Sequence, residues 1–270
     1  MGMNVPQKVC AGFFLFLFIF WCLLFFSGTT EGFYNYLFSF LFGLTPLIGG
    51  FAAIESARVW GGLKSAVGRA VFFIGFGIFL WGGGETIWSY YNFFLGVPAP
   101  YPSLADVGFA PSIFFYGLGA IYLARATGAR YVLRDHWYAK GFAIIAPLII
   151  AVLSYYMLVI LARGGVLIPQ DEGLLKTILD IAYPVGDFVG LAIAVVVGGL
   201  SFKYLGGRYQ MDIYAILLGL GVMFVADTIF SYTTTVGTYY NADFGDLVLA
   251  LGTSLLAFGV LGFYRPKGSE

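Results

Sequence analysis

Charge is what this chain lacks most. Only 10% of its 270 residues are charged, whereas a soluble domain carries about a quarter, so a globular water-facing surface is excluded. Its formal net charge is zero, which leaves no basic face for nucleic acid. It has a single histidine, His136, in the loop "RDHWYAK". One histidine outside the apolar segments excludes bis-histidine haem, a multi-histidine zinc hydrolase and an outward Ser-His-Asp triad. Lysines are absent from mid-span: Lys8, Lys64, Lys140, Lys203 and Lys267 lie in or near one set of loops, and Lys176 lies at the opposite mouth of the sixth span. A retinal Schiff base therefore has no anchor. Cys10 and Cys22 fall in or beside the first apolar segment without metal-ligand spacing, and read as packed or lipid-facing thiols. No nucleophile–base pair, metal-ligand set or strand-loop-helix phosphate motif stands out, so we expect no enzyme, no cofactor and no metal.

What is abundant is apolar. Hydrophobic residues make up 60% of the chain, aromatics 20%, and mean hydropathy is +0.89. Lys8 followed by "FFLFLFIFWCLLFF" has the look of a secretion signal, but "SGTTEG" offers no small-x-small cleavage site and the run is long enough to span. Segments of spanning length fall near residues 10–27, 36–57, 69–95, 106–126, 141–162, 184–202, 210–236 and 244–264. The sixth carries a helical lead-in from about residue 174, with an interruption expected at Pro184. An eight-span arrangement puts 12 of the 14 basic residues on one side and only Arg163 and Lys176 on the other. The positive-inside rule then makes both termini cytoplasmic. The fold expected is all-α, a polytopic membrane protein of eight helices in one domain over residues 1–270.

The chain also repeats itself. "ETIWSYYNFFLG" from Glu85 returns as "DTIFSYTTTVG" from Asp227. Each places a carboxylate in the outward half of an odd-numbered span, before the closing Gly96 or Gly237. After each glycine a short loop leads to a span that opens with another carboxylate, Asp106 in "YPSLADVGF" and Asp246 in "NADFGDLVL". "LSYYMLV" and "AYPVGDFVG", with Asp187, occupy the corresponding places in the fifth and sixth spans. This predicts tandem parallel helical hairpins near 69–126, 141–202 and 210–264, with 10–57 as a degenerate fourth. They are not the inverted repeats of many transporters.

Candidate site residues follow from cost. An acid at the depth of Glu85 or Asp227, about 10–15 Å below the helix end, costs about 2.5–3.5 kcal/mol to insert and faces the bundle interior. Each serves either a ligand or a bond to a neighbouring Tyr, Trp or Ser. With Asp180, two turns before Asp187 on one face, they outline an outward acidic cavity, and Trp88, Tyr90, Tyr155 and Tyr232 supply an aromatic lining suited to a cation or a cationic head group. Asp106, Asp187 and Asp246 read as helix caps or as cation ligands. Glu55 has Arg58 at i+3 for a surface pair. The glycines of "IGFG", "WGGGE", "YGLG" and "LLGLG" read as close helix crossings.

"PYPSLADVGF" after "ETIWSYYNFFLG", then "LDIAYPVGDF", resemble a multi-helix membrane sensor region found ahead of bacterial diguanylate cyclases and related signalling domains. The resemblance covers about residues 68–264, and Tyr101–Asp106 is its most specific part. It implies a membrane region that senses and relays inward, in the plasma membrane of a prokaryote. Here "GFYRPKGSE" is not followed by an output domain, so either the output is a separate cytoplasmic or membrane signalling partner, or this copy does something else, or the sequence is a piece of a longer protein. The expected function is a non-enzymatic sensory or ligand-binding module. A transporter or channel for a cation or small amphipathic molecule is the second reading, and a structural subunit of a larger complex the third. The partners are the bilayer and, for a self-associating sensor, a second copy.

Overall fold

The computed structural model describes residues 2–128, 137–161, 164–166, 173–201 and 208–264. Among these there is no strand, and eight helices are long and apolar enough to cross a membrane. They are α1 Val5–Ser27, α2 Phe33–Val59, α3 Ala66–Tyr90, α4 Asp106–Ala126, α5 Trp137–Tyr155, α6 Leu174–Ser201, α7 Gln210–Val236 and α8 Phe244–Leu261. The chain is a multi-pass helical membrane protein. The loop holding His136 and the side chain of Asp180 lie outside the described residues.

Local chemistry sets the ends. Asn4 opens α1 with a reciprocal capping box to Gln7 and Pro6 in the first turn, so the helix begins five residues before the apolar run. Gly28, Gly96 and Gly237 close α1, α3 and α7 in left-handed conformation, which costs glycine nothing. In α3 and α5 the second tyrosine of each Ser-Tyr-Tyr starts a π turn, at Tyr91–Leu95 and Tyr156–Leu161. The repeated tripeptide thus carries a repeated backbone feature.

One expectation is corrected. The sixth span does not open at Pro184: α6 runs unbroken from Leu174, and both Pro184 and Asp187 are interior to it. A proline is tolerated inside a membrane helix because neighbours re-satisfy the freed carbonyl. Asp187 is therefore not a cap.

Helices α3, α4, α6, α7 and α8 form a ring in which each touches the next and α8 closes on α3. Helix α2 packs outside α3 and α8, α1 outside α8, and α5 outside α6. Glycines set the tightest crossings. A Cβ on Gly108 would lie 2.4 Å from the Leu80 carbonyl oxygen and 2.6 Å from the Gly84 nitrogen, and one on Gly50 would lie 2.5 Å from the Gly75 carbonyl. At the other end of the chain, Asn4 Nδ2 donates to the Leu261 carbonyl at 2.8 Å. The start of α1 and the end of α8 therefore share one side of the bundle. Glu55 and Arg58 form the expected surface pair at 3.3 Å.

Candidate functional site

Each helix of the ring brings one carboxyl to the opposite half of the bundle: Glu85 from α3, Asp106 from α4, Asp187 from α6, Asp227 from α7 and Asp246 from α8. Helix α8 is short, 18 residues against 30 for α3 with its π turn, and the α7–α8 loop ahead of it buries Ala242 and Asp243.

That loop is fixed by polar contacts. The Oδ1 of Asn241 accepts from Ser39 Oγ and Trp88 Nε1, both at 3.1 Å, and from Asn92 Nδ2 at 3.3 Å. Its carbonyl accepts from Asn35 Nδ2 at 2.9 Å, and Trp21 Nε1 donates to the Asp243 carbonyl at 3.0 Å. Asp243 caps α8 by accepting from the Asp246 nitrogen at 3.0 Å. Burial holds the Asp243 carboxyl above the usual range, against the pull of the Asp246 and Gly245 N–H groups. Burial, then the Asp246, Glu85 and Asp243 carboxyls, pushes the Tyr239 phenol upward. It stays protonated and donates to Asp246 at 3.4 Å.

The carboxyls fall into neighbouring sets. Glu85 and Asp246 are buried and act on each other. Asp246 also accepts from the Ala242 nitrogen at 2.7 Å and Ser39 Oγ at 3.4 Å. Gly43 makes room for the first of the pair, since a Cβ there would lie 2.6 Å from Glu85 Cγ. Asp106 accepts from the Ser103 nitrogen at 2.7 Å and from the Tyr183 hydroxyl at 2.6 Å, but no reciprocal capping box forms, since Ser103 Oγ accepts from the Ala105 nitrogen and Ala105 is the N-cap of α4. Asp187 and Asp227 are half-buried and act on each other across α6 and α7. Two such carboxyls hold a proton between them or a cation.

The sequence candidates thus divide. Glu85 lies by Asp246, Asp187 by Asp227, Asp106 by Tyr183 and Trp88 by Asn241, in separate sets. Tyr90, Tyr155 and Tyr232 are instead 50%, 55% and 41% exposed, and Tyr90 stacks on Phe94. They sit on helix faces turned outward, because Ser89 and Ser154 take the buried positions beside them. The residues that sequence reasoning passed over are Asn241, Asn35, Asn92 and Tyr116. The three amides were visible as neutral polar groups in apolar surroundings, which also demand partners. Tyr116 was hidden among 19 tyrosines.

Two cavities open elsewhere. One of about 260 Å³ lies at the end where the termini meet, lined in part by Trp60, Leu123, Arg208, Tyr209, Ile216 and Phe263. The other, about 670 Å³, is an apolar groove along α6, α7 and α8. Among the described residues no group of three or more His, Cys, Asp or Glu is arranged to hold a metal. No family model, curated protein or solved structure matches the chain.

Proposed function

We propose that the chain is a non-enzymatic sensory or ligand-binding membrane module that reads a cationic ligand through the interior carboxyls of the ring. One observation carries this reading. Five helices each place an acid in the same half of the bundle, and the charges acting on Glu85, Asp187, Asp227 and Asp246 are other carboxyls. A purely structural interior avoids such an arrangement, because carboxyls at membrane depth are costly and like charges add to the cost. Hydrogen bonds to Asp106 and Asp246 offset part of it, and a cationic ligand offsets the rest.

The ring also fits a relay. Its acids link α6 to α7 and α8 to α3, so a ligand that changes their spacing shifts helices that all end on the side of the termini. Under the positive-inside reading that side is the cytoplasm and the membrane is the plasma membrane, where a separate signalling partner would receive the signal. A transporter for a cation is the second reading, favoured by the 260 Å³ cavity at the far mouth of the same ring. Against it stand the fully buried Ile74, Ile78 and Ile216 on the same helices, an apolar barrier for an ion.

The test is thermal unfolding of wild type and an E85Q/D227N variant over a panel of cations, amines and lipids. A compound that raises the wild-type midpoint and leaves the variant unmoved supports the reading. A panel that shifts both proteins alike removes it.

A further inference from the structure

The side of the bundle that holds the termini carries an unmatched charge of the opposite sign. Helices α3 and α4 are antiparallel neighbours, with Arg69 in the first turn of α3 and Arg125 in the last turn of α4. Both guanidiniums settle on one ring, that of Tyr122, at 5.1 and 5.0 Å from its centroid. An aromatic ring attracts a cation, but two cations at one ring repel each other. Among the described residues the one ion pair is Glu55–Arg58, so no carboxylate offsets that repulsion. Arg69 is held in place by donating from Nε to the Leu63 carbonyl. Arg125 is exposed and forms no hydrogen bond among the described residues.

Apolar surface continues from this pair into the membrane. Tyr122 stacks on Phe73 at 5.5 Å, Phe73 stacks on Phe115 at 6.0 Å, and Phe115 meets Phe76 edge to face at 4.7 Å. All four rings are half-buried, so each leaves part of itself open along the α3–α4 seam. The chain fixes the level of the arginines. Ser56 and Trp60, at the end of α2, both donate to the Phe263 carbonyl at 2.7 Å, so α3 sets out beside the end of α8.

We propose that this seam binds one anionic phospholipid of the leaflet on the side of the termini, with its phosphate between Arg69 and Arg125 and an acyl chain along Phe73, Phe115 and Phe76. The site is independent of the interior carboxyls and of any ligand they take. Charge selects the head group: guanidinium donors match phosphate oxygens in pairs, and a lipid of net negative charge neutralises more of the arginine pair than a zwitterionic one. The aromatic column selects a lipid over free phosphate, because only a lipid has a chain to lay against it. Under the positive-inside reading this is the cytoplasmic leaflet, where basic pockets between membrane helices recognise acidic head groups.

The experiment titrates the intact chain in detergent with phosphatidylglycerol, with phosphatidylcholine of the same chains, and with inorganic phosphate. Native mass spectrometry counts the lipids retained, and the unfolding midpoint reports stabilisation. Wild type should keep one phosphatidylglycerol in preference to phosphatidylcholine and unfold at a higher midpoint with it. Binding should weaken about fivefold in R125Q, a variant with no hydrogen bond to lose, and further in R69Q/R125Q. R69K/R125K keeps the charge without the paired donors and should also bind less tightly than wild type. R58Q removes a charge from the same side, outside the seam, and should bind as wild type does. Equal retention of the two lipids by wild type overturns the proposal. Equal losses in R58Q and R125Q overturn it as well, since the attraction would then be diffuse surface charge. A midpoint rise from inorganic phosphate as large as that from phosphatidylglycerol also overturns it, since the occupant would then be a soluble anion.

Discussion

At the scale of single residues, the carboxyl-bearing half of the bundle is organised by what each polar atom finds. Asp243 shows how this becomes a pH effect. Burial raises its folded-state pKa, so its protonated form is favoured on folding. The cost of ionising it is absent below the unfolded value, grows as pH rises through the ordinary carboxylate range, and is complete above the raised folded value. Asn caps a helix about as well as Asp. The D243N variant should therefore lose less unfolding midpoint than wild type as pH rises above the ordinary carboxylate range of about 4. Equal losses in a pH series would show that Asp243 is not held as described.

At the scale of elements, close crossings decide where the acids stand. Gly108 lets α4 lie against the Leu80–Gly84 stretch of α3, just ahead of Glu85. Its neighbours there are backbone atoms that cannot swing aside, so G108A should destabilise by about 1–3 kcal/mol. Gly83 meets nothing within 4 Å, and G83A should be neutral or gain up to about 1 kcal/mol of helix propensity. Denaturation of the two variants side by side checks this. Equal effects would mean that α3 and α4 do not approach as closely as Gly84 and Gly108 allow.

Much at this scale was legible in the sequence. The bounds of α4 and α7 follow from the apolar runs, because Asp106 and the closing Gly237 punctuate them. The crossings at Gly75, Gly82, Gly84 and Gly219 follow from glycine placement. Pro184 misled, since a rule learned in water overstates its power where neighbouring helices supply partners. The tyrosines misled differently: repetition of Ser-Tyr-Tyr shows equivalent positions, but helix rotation decides which of three adjacent residues faces inward, and the serine does. Pairings such as Asp187–Asp227 and the Asn241 hub join residues far apart in the chain, and hydropathy carries no information about them.

At the scale of the whole molecule, eight crossings bring α1 and α8 back to one side, where Asn4 and Gln7 fasten α1 through Leu261, Phe258 and Asp212. With 12 of 14 basic residues assigned to that side, reporters fused to either terminus should both register the cytoplasm. Opposite answers from the two ends would break the topology. Under that topology the ring of carboxyls would face outward, and the central claim is that these acids are kept for a ligand at the expense of stability. The most direct measurement is the unfolding midpoint of E85Q/D227N against wild type near neutral pH, with no ligand added. Amides match carboxyls in shape and remove like-charge repulsion, so the account predicts a higher midpoint for the variant. A midpoint several degrees lower would contradict it, because the carboxylates would then be structural acceptors that the fold requires.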